Sequence, residues 1–275
     1  MNNCSPKRNQ ELIKNQKSCY NNMELKVIAK AYNDSIKKHG HICNNLEKRC
    51  TKLNLVNLSN DTDRLYKDLS SNLSSLTKKE ENWLSLDFIN NIKDRNLKDS
   101  LLNFTFKPIG PKKDNDWLNT TNINEVEQQY LDLYKSKNFT FLGAQPSDYT
   151  NLIKINWKKL KNYNLIGIIF NIDTHDKSGT HWVSVFIDNV IKTVDFFDSL
   201  GNNPNKHICS FLRHFPQTIY HFNFNLVKHQ KGGSQCGVYA CFFLNKRLKG
   251  YTMDDINKEI ISDKMMIAYR KEIFR

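Results

Sequence analysis

The stretch HWVSVFIDNVIKTVDFFD, residues 181–198, decides the fold of this chain. It contains two runs rich in Val, Ile and Phe, His181–Ile187 and Ile191–Phe197, which predict two neighbouring strands joined by a tight turn. His181 opens the first run and Asp198 follows the second. Because antiparallel neighbours place the start of one strand beside the end of the other, we expect these two side chains to lie within reach of each other.

Asp195 is the rival acid in the same stretch. It lies in the middle of the second strand, where the alternation of side chains turns it away from the side of Asp198. Taken alone, His181 would be read as a strand-end histidine with an ordinary surface hydrogen bond. Its expected neighbour Asp198 favours a catalytic role instead.

Cys236 lies at the junction of a glycine-rich turn, residues 231–235, and an apolar run, residues 238–244, that predicts a helix. The dipole at a helix N-terminus favours the thiolate form of a cysteine, and the turn leaves backbone N–H groups free to bind an oxyanion. A nucleophilic cysteine needs a base, and the base needs a group that fixes its tautomer. Cys236, His181 and Asp198 suit these roles, whereas Cys241 is interpreted as a buried helix cysteine.

These motifs together resemble the SUMO-specific protease clan of cysteine peptidases. The resemblance rests on His-Trp, then Phe-Phe-Asp-Ser-Leu-Gly, then Gln-x5-Cys-Gly, with Asp198 following His181 by 17 residues. Gln230 precedes Cys236 by six residues, where the family places its oxyanion-hole glutamine. The end of the chain, including the tail 263–275, resembles the African swine fever virus type of polyprotein protease more closely still. The implied fold is α+β: a papain-like, Ulp-like core with a central mixed sheet flanked by helices.

The resemblance also implies a substrate clamp, since the clan uses a Trp-Leu element ahead of the core to hold a Gly-Gly pair. Trp117-Leu118 is preferred over Trp83-Leu84 because it lies nearer to His181 in the sequence. Trp182 and, in the glycine-rich turn, Gly233 and Gln235 are the other predicted substrate contacts. Cellular members often carry Asp before the cysteine, where this chain has Gln235, a departure more typical of a viral enzyme.

The function implied is a viral protease that cleaves structural polyproteins at Gly-Gly-X sites during virion maturation, in the viral factory of the host cytoplasm and in the virion. Two alternatives stay open at this point: a deSUMOylating or deubiquitinating protease acting on host proteins, and a nucleic-acid-binding scaffold with a relic site. No cofactor and no metal are expected, and the sequence leaves the oligomeric state open.

Composition points to a globular protein, because 39% of the residues are hydrophobic and 25% are charged. The net charge of +13 favours acidic partners such as nucleic acid, although a coding bias towards Lys and Asn is an equal explanation. The seven cysteines include no CxxC pair, which speaks against zinc and for free thiols in a reducing compartment. We expect no signal peptide and no membrane span.

The segment 107–113, with two prolines and a glycine, predicts a boundary. We therefore divide the chain into a helical, basic N-terminal arm, residues 1–104, and a protease core, residues 105–275. The arm is expected to bind a partner: the polyprotein substrate, the assembling core shell or nucleic acid. Its four predicted helices are marked by Met23 to Gly40; by Leu46, Leu53, Leu55 and Val56; by Leu65, Leu69, Leu73 and Leu76; and by a capping box at Thr77–Glu80 that precedes Trp83.

The core is predicted to begin with a helix capped by Asn124 and to continue through alternating strands and helices. The strands are Ile166–Ile172, His181–Ile187, Ile191–Phe197 and Thr218–Val227. The helices are Ile208–His214, Cys236–Leu248, Asp254–Ile261 and Asp263–Phe274.

Overall fold

A computed structural model describes residues 3–11, 17–44 and 47–275. The chain forms two compact units, Met1–Lys107 and Pro108–Arg275. None of the helices in these described ranges is long and apolar enough to cross a membrane.

The N-terminal unit contains helices and one small sheet. Its elements are α1 (Pro6–Glu11), α2 (Asn22–His39), β1 (His41–Asn44), β2 (Arg49–Lys52), α3 (Thr62–Leu73), two 3₁₀ helices (Glu80–Ser85 and Asp87–Asn91) and α4 (Arg95–Phe104). The first and third predicted helices are present as α2 and α3. The predictions name no separate helix at α4.

The helix α2 begins and ends where its sequence signals predict. Asn21 caps the helix and Glu24 returns the hydrogen bond, which completes a capping box. Gly40 ends it with a φ of 75°, the left-handed conformation that a glycine adopts at least cost. Met23, counted in the apolar stripe, is 74% exposed and does not belong to the buried face.

The second predicted helix is wrong, because the chain after α2 forms the antiparallel hairpin β1–β2 and then irregular backbone. Leu46 lies outside the described residues. The backbone at Val56 is satisfied by a side chain of α2, since Asn33 accepts from the Val56 N–H at 2.9 Å and donates to the Val56 carbonyl at 2.7 Å. These two long-range hydrogen bonds satisfy the backbone N–H and carbonyl of Val56, which a helix would have paired within itself.

The fourth predicted helix is also wrong in type, since two 3₁₀ helices stand in its place. Glu80 does not close a capping box with Thr77. Its carboxylate accepts instead from the Ser18 hydroxyl at 2.8 Å and from the Cys19 N–H at 3.0 Å. The side chain of Glu80 thus makes tertiary hydrogen bonds and does not form the helix cap that the local pattern predicted.

The expectation of free thiols throughout fails in the N-terminal unit. Cys4 is bonded to Cys19, and Cys43 is bonded to Cys50 across the β1–β2 hairpin. The three remaining cysteines, Cys209, Cys236 and Cys241, are free and belong to the second unit. The sequence offered no pairing signal because no two of these residues stand in a familiar motif.

The second unit is built on a five-stranded mixed sheet of order β3-β4-β5-β6-β7. The central strands β4, β5 and β6 pair antiparallel, while β3 and β7 add parallel edges. Its elements are α5 (Thr120–Leu133), β3 (Phe139–Pro146), α6 (Tyr149–Leu152), α7 (Trp157–Leu160), β4 (Leu165–Asn171), β5 (Trp182–Asp188), β6 (Thr193–Phe197), α8 (Lys206–Leu212), β7 (His221–Phe224), α9 (Cys236–Leu248), α10 (Met253–Asn257) and α11 (Asp263–Ile273). The α+β class is as predicted.

Several boundaries in this unit differ from the predictions; α10, for example, ends at Asn257 and not at Ile261. The cap of α5 is Asn119, not Asn124, whose side chain accepts instead from the Ala144 N–H of β3 at 2.8 Å. The fourth predicted strand shrinks to β7, because only His221–Phe224 pairs with β6. The strand β3, rich in polar and small residues, was not predicted.

Glu127 of α5 is a carboxyl fully buried against α9, where Asn245 donates to its Oε1 at 3.5 Å. Burial raises its pKa to about 8, although hydrogen bonds from Cys241 and Asn245 act in the other direction. The pKa of Glu127 in the folded state lies above its ordinary value of 4.5. The stability that the protonated carboxyl contributes is therefore fully present below pH 4.5 and is lost as the pH rises through about 8.

We therefore predict that Glu127→Gln removes this pH dependence. Wild type and variant should have similar free energies of unfolding near pH 4.5. The variant should be the more stable by at least about 1 kcal/mol above pH 8. Urea unfolding across this range measures the difference, with the exposed Glu259→Gln as control. Parallel profiles for wild type and Glu127→Gln would contradict the assignment.

Candidate active site

The open end of the β5–β6 hairpin carries a histidine and an aspartate in direct contact. The last ladder pair is Ser184 with Phe197, so His181, just before β5, and Asp198, just after β6, project from the same end. The Nε2 of His181 lies 2.6 Å from Oδ1 of Asp198. The structure thus brings together the two residues that the strand pattern placed side by side.

Asp198 is held in place by its own neighbours. It is 2% exposed, and the Leu200 N–H donates to its Oδ1 at 2.9 Å. Asn225 donates from its side chain to the Asp198 carbonyl at 2.7 Å. Burial alone would raise the pKa of Asp198, but the hydrogen bond and charge of His181, with the Leu200 N–H, hold it below its ordinary value.

The ionisation of His181 follows from the same contacts. Burial alone would lower its pKa, yet hydrogen bonds and charge interactions with Asp198 and Cys236 outweigh burial and raise it to about 9. Since Asp198 occupies Nε2, Nδ1 is the nitrogen left to face Cys236. His229 is a useful contrast, because burial lowers its pKa and its ring serves the fold: Nδ1 accepts from the Ile261 N–H at 3.1 Å.

Cys236 is the first residue of α9 and is 2% exposed. The packing of β5 against α9, which includes a 3.0 Å hydrogen bond from the Ser184 hydroxyl to the Ala240 carbonyl, fixes the position of that helix end. Cys241 lies one turn further on, fully buried, and burial keeps its pKa well above the ordinary value. The two cysteines therefore have different environments, as the sequence suggested.

Gln230 is buried beside the site and is anchored through Ser199. The Ser199 hydroxyl donates to Oε1 of Gln230 at 2.6 Å, and the Ser199 carbonyl accepts from the Gln230 N–H at 2.9 Å. The side-chain Nε2 of Gln230 donates to the Gly232 carbonyl at 2.5 Å. That amide has a second N–H, so one donor remains for a ligand. Sequence reasoning missed Ser199, although it directly follows Asp198.

A cavity of about 330 Å³ opens beside these residues. His181, Asp198, Gln230 and Gly233 all line it, with residues of the 200–208 segment on the far side. A Cβ added at Gly233 would meet nothing within 4 Å, so this glycine leaves open space. Cys236 and Trp117 are not among the residues that line this cavity.

Trp182 and Leu118 connect the segment that precedes α5 to the start of α9. The indole N–H of Trp182 donates to the Leu118 carbonyl at 2.8 Å, and Trp182 is only 7% exposed. Leu118 in turn lies against Gly237, next to Cys236. Trp182 is thus a buried positioning residue, whereas Trp117 is 50% exposed and free to contact a ligand. Trp83, the other candidate, stacks on Tyr20 in the core of the N-terminal unit.

Gln235, predicted as a substrate contact, has its side chain directed into the protein. It is 3% exposed, and its Nε2 donates to the Asp114 carbonyl at 2.7 Å. Arg270 of α11 approaches its Oε1 at 3.4 Å and donates to the Asp116 carbonyl at 2.6 Å. Gln235 and Arg270 therefore tie the segment that precedes Trp117 to the turn that precedes Cys236. No local signal in the sequence marked Arg270.

Asp195 has a partner of its own. Its carboxylate pairs with Arg247 Nε at 2.8 Å and accepts from the Asn223 side chain at 2.6 Å. The carboxylate of Asp195 therefore contacts Arg247 and Asn223, whereas His181 contacts Asp198.

Comparisons with known proteins identify the family of this chain. The Ulp1 protease family, C-terminal catalytic domain, matches residues 95–275. A protein named as a thiol protease of Acanthamoeba polyphaga mimivirus is 32% identical over 302 residues, covering 100% of this chain and 94% of the relative. A SUMO-1 cysteine protease of African swine fever virus is 24% identical over 196 residues, which cover 62% of this chain and 72% of its own.

Solved structures show the same fold. One crystal structure of the African swine fever virus protease gives a TM-score of 0.63 at 18% identity, covering 100% of this chain and 96% of that one. A second, of its selenomethionine form, gives a TM-score of 0.58 at 22% identity, covering 76% and 90%.

The contact between Leu118 and Gly237 yields a prediction. A Cβ at Gly237 would lie 2.9 Å from Cβ of Leu118, closer than side chains pack. Gly237→Ala should therefore lower the free energy of unfolding by about 1–3 kcal/mol, the usual range for overpacking. Gly233→Ala, whose Cβ meets open space, serves as the matched control and should change it by less than about 0.5 kcal/mol. Chemical denaturation of both variants measures this, and equal stabilities would refute the close contact.

Proposed function

Because the chain belongs to the Ulp1 protease family, we propose that it cleaves peptide bonds with Cys236 as nucleophile, His181 as base and Asp198 as the orienting acid. Family membership makes the protein a cysteine protease, and its similar relatives are viral. The roles of the three residues rest on one observation: Nε2 of the His181 imidazole lies 2.6 Å from Asp198, and interactions with both Asp198 and Cys236 raise the pKa of that imidazole.

The proposed reaction follows from the protonation of that imidazole. In the proposed reaction His181 takes the proton of the Cys236 thiol, and the interactions that raise the pKa of His181 to about 9 stabilise the resulting imidazolium. The Cys236 sulfur attacks the scissile carbonyl, and His181 then donates its proton to the leaving amine. Asp198 keeps the ring in the orientation that serves both steps. Water attacks the resulting thioester, with His181 now acting as base.

The oxyanion would be bound by two donors. The Cys236 N–H lies at the free N-terminal end of α9, where no side chain caps the helix. The second N–H of Gln230 completes the pair, with Ser199 holding the amide in place. Loss of one such donor commonly costs ~10²–10³ in rate.

We propose Gly-Gly-X sites in viral structural polyproteins as the substrate, cleaved during virion maturation in the viral factory of the host cytoplasm and in the virion. The resemblance of the motifs to polyprotein proteases and the match to viral thiol proteases support this choice. Trp117, exposed beside the anchored Leu118, is the proposed clamp, and Gly233 is the proposed floor of the cavity. Removal of SUMO or ubiquitin from host proteins is the alternative, favoured by the name of one viral relative.

We propose that the arm, residues 1–104, binds a partner and that residues 105–275 carry out cleavage. The net charge of the whole chain, +13, supports an acidic partner, either the polyprotein, the assembling core shell or nucleic acid. Binding of a DNA or RNA oligonucleotide that weakens steeply as salt is raised would support the nucleic-acid form of this proposal. Binding that is absent, or insensitive to salt, would speak against it.

The first prediction concerns the three residues. Cys236→Ala and His181→Ala should each reduce peptide cleavage by roughly 10⁵–10⁶-fold, because nucleophile and base act as a unit, while Asp198→Ala should cost about 10⁴-fold. Cleavage of a Gly-Gly-X peptide followed by mass spectrometry measures this. Cys241→Ala and Cys209→Ser are the controls, and cleavage by Cys236→Ala at the wild-type rate would end the proposal.

The second prediction concerns specificity. Changing the glycine before the scissile bond to alanine should lower kcat/KM by more than about 10²-fold, since a Cβ would clash with the walls of a channel shaped for Gly-Gly. Changing the residue after the bond should cost less than about 10-fold. Equal tolerance at both positions would contradict the Gly-Gly proposal. Faster cleavage of intact SUMO or ubiquitin precursors than of polyprotein peptides would favour the alternative.

A further inference from the structure

The β1–β2 hairpin of the N-terminal unit presents three metal-ligating side chains on one face. Ile42 points inward and is fully buried, so its neighbours His41 and Cys43 point outward. Cys50 lies directly opposite Cys43 in the antiparallel register. The ligand atoms of His41, Cys43 and Cys50 all lie within 4.8 Å of one another.

A fourth donor stands beside this face. His39 is the last residue of α2, and its ring centroid lies 6.3 Å from that of His41. The C-terminal end of a helix carries partial negative charge, which favours a cation there. Two thiolates and two imidazoles form a donor set that zinc binds tetrahedrally, with Zn–S of about 2.3 Å and Zn–N of about 2.0 Å. The spacing Cys-x6-Cys explains why a search for CxxC pairs passes over the hairpin.

The two disulfides of this unit differ in their access to solvent. Cys4 and Cys19 are 1% and 2% exposed, whereas Cys50 belongs to an exposed strand. A small thiol or phosphine can therefore reach the Cys43–Cys50 bond while the other is shielded, because exchange requires access to a sulfur. Two thiols of a reductant such as glutathione would reduce it, giving Cys43 and Cys50 as thiols and one molecule of the reductant's disulfide.

We propose that the reduced hairpin is a zinc site in which His41, Cys43 and Cys50, completed by His39, hold one Zn²⁺. Binding displaces the two thiol protons, so that both sulfurs coordinate as thiolates. The same two cysteines thus have two mutually exclusive states: a disulfide in an oxidising setting, and a metal-bound dithiolate in a reducing one. The metal would cross-link the end of α2 to both strands of the hairpin.

The experiment uses the full chain carrying Cys236→Ala, so that the Cys236–His181 pair does not compete for metal. The Cys43–Cys50 bond is opened with a phosphine, the reductant is removed without oxygen, and alkylation with mass spectrometry confirms which thiols are free. Zn²⁺ is then titrated against a chromophoric chelator, and Co²⁺ is added to a parallel sample. We expect one Zn²⁺ per chain, and for Co²⁺ the absorption of a tetrahedral, thiolate-bound ion.

Substitutions at the ligands separate the proposed site from adventitious binding. Cys43→Ser and Cys50→Ser should abolish stoichiometric binding, and His41→Ala and His39→Ala should each weaken it at least about tenfold. Cys209→Ser should leave it unchanged. The oxidised full chain, also carrying Cys236→Ala, should bind no Zn²⁺ at these concentrations. Failure of the reduced chain to bind Zn²⁺, or equal binding by the oxidised chain or by the Cys43→Ser protein, would overturn the proposal.

Discussion

The hydrogen bond between His181 and Asp198 is the interaction on which the site depends. It exists because β5 and β6 pair in one register, with Ser184 opposite Phe197. A slip of one residue would turn every side chain of a strand to the other face, so the buried alternation of these strands protects the contact. With Asp198 on Nε2, Nδ1 is the nitrogen that remains available, and Cys236 at the start of α9 is the other residue that raises the pKa of the ring. The fold therefore brings together the start of β5, the end of β6 and the N-terminal end of α9.

Much of this arrangement could be read from the sequence, because it depends on local periodicity. The strands β4, β5 and β6 are short and rich in β-branched residues, and α9 begins where a glycine-rich turn is followed by an apolar run. The positions of these elements therefore follow from the local sequence. The pairing of His181 with Asp198, and the exclusion of Asp195, needed only the alternation of a strand. The residues that support the site could not be predicted in this way. Arg270 reaches Gln235 across 35 positions of sequence, and Ser199 reaches Gln230 across 31, contacts that no local pattern announces.

The N-terminal unit was predicted less well, for a related reason. Its helices α2 and α3 carry their own caps and apolar stripes, and both were found. Between and after them, polar side chains such as Asn33 and Glu80 bond distant backbone, and the hairpin is closed by Cys43 and Cys50. Local propensity is a weak guide where long-range bonds decide the conformation. The same lesson applies to Gln235, whose position beside Cys236 suggested a substrate contact although its side chain turns inward.

The two ends of the second unit lie side by side. The Arg275 N–H donates to the Pro108 carbonyl at 3.1 Å, and Phe274 packs so closely on Gly110 that a Cβ there would lie 2.7 Å from its ring. These two contacts hold the ends of the unit together. The turn between β5 and β6, where Val190 and Ile191 are 64% and 61% exposed, lies at the end of the hairpin opposite His181. A circular permutant opened at that turn and joined from Arg275 to Pro108 would keep every element in place, as proteins with adjacent termini allow.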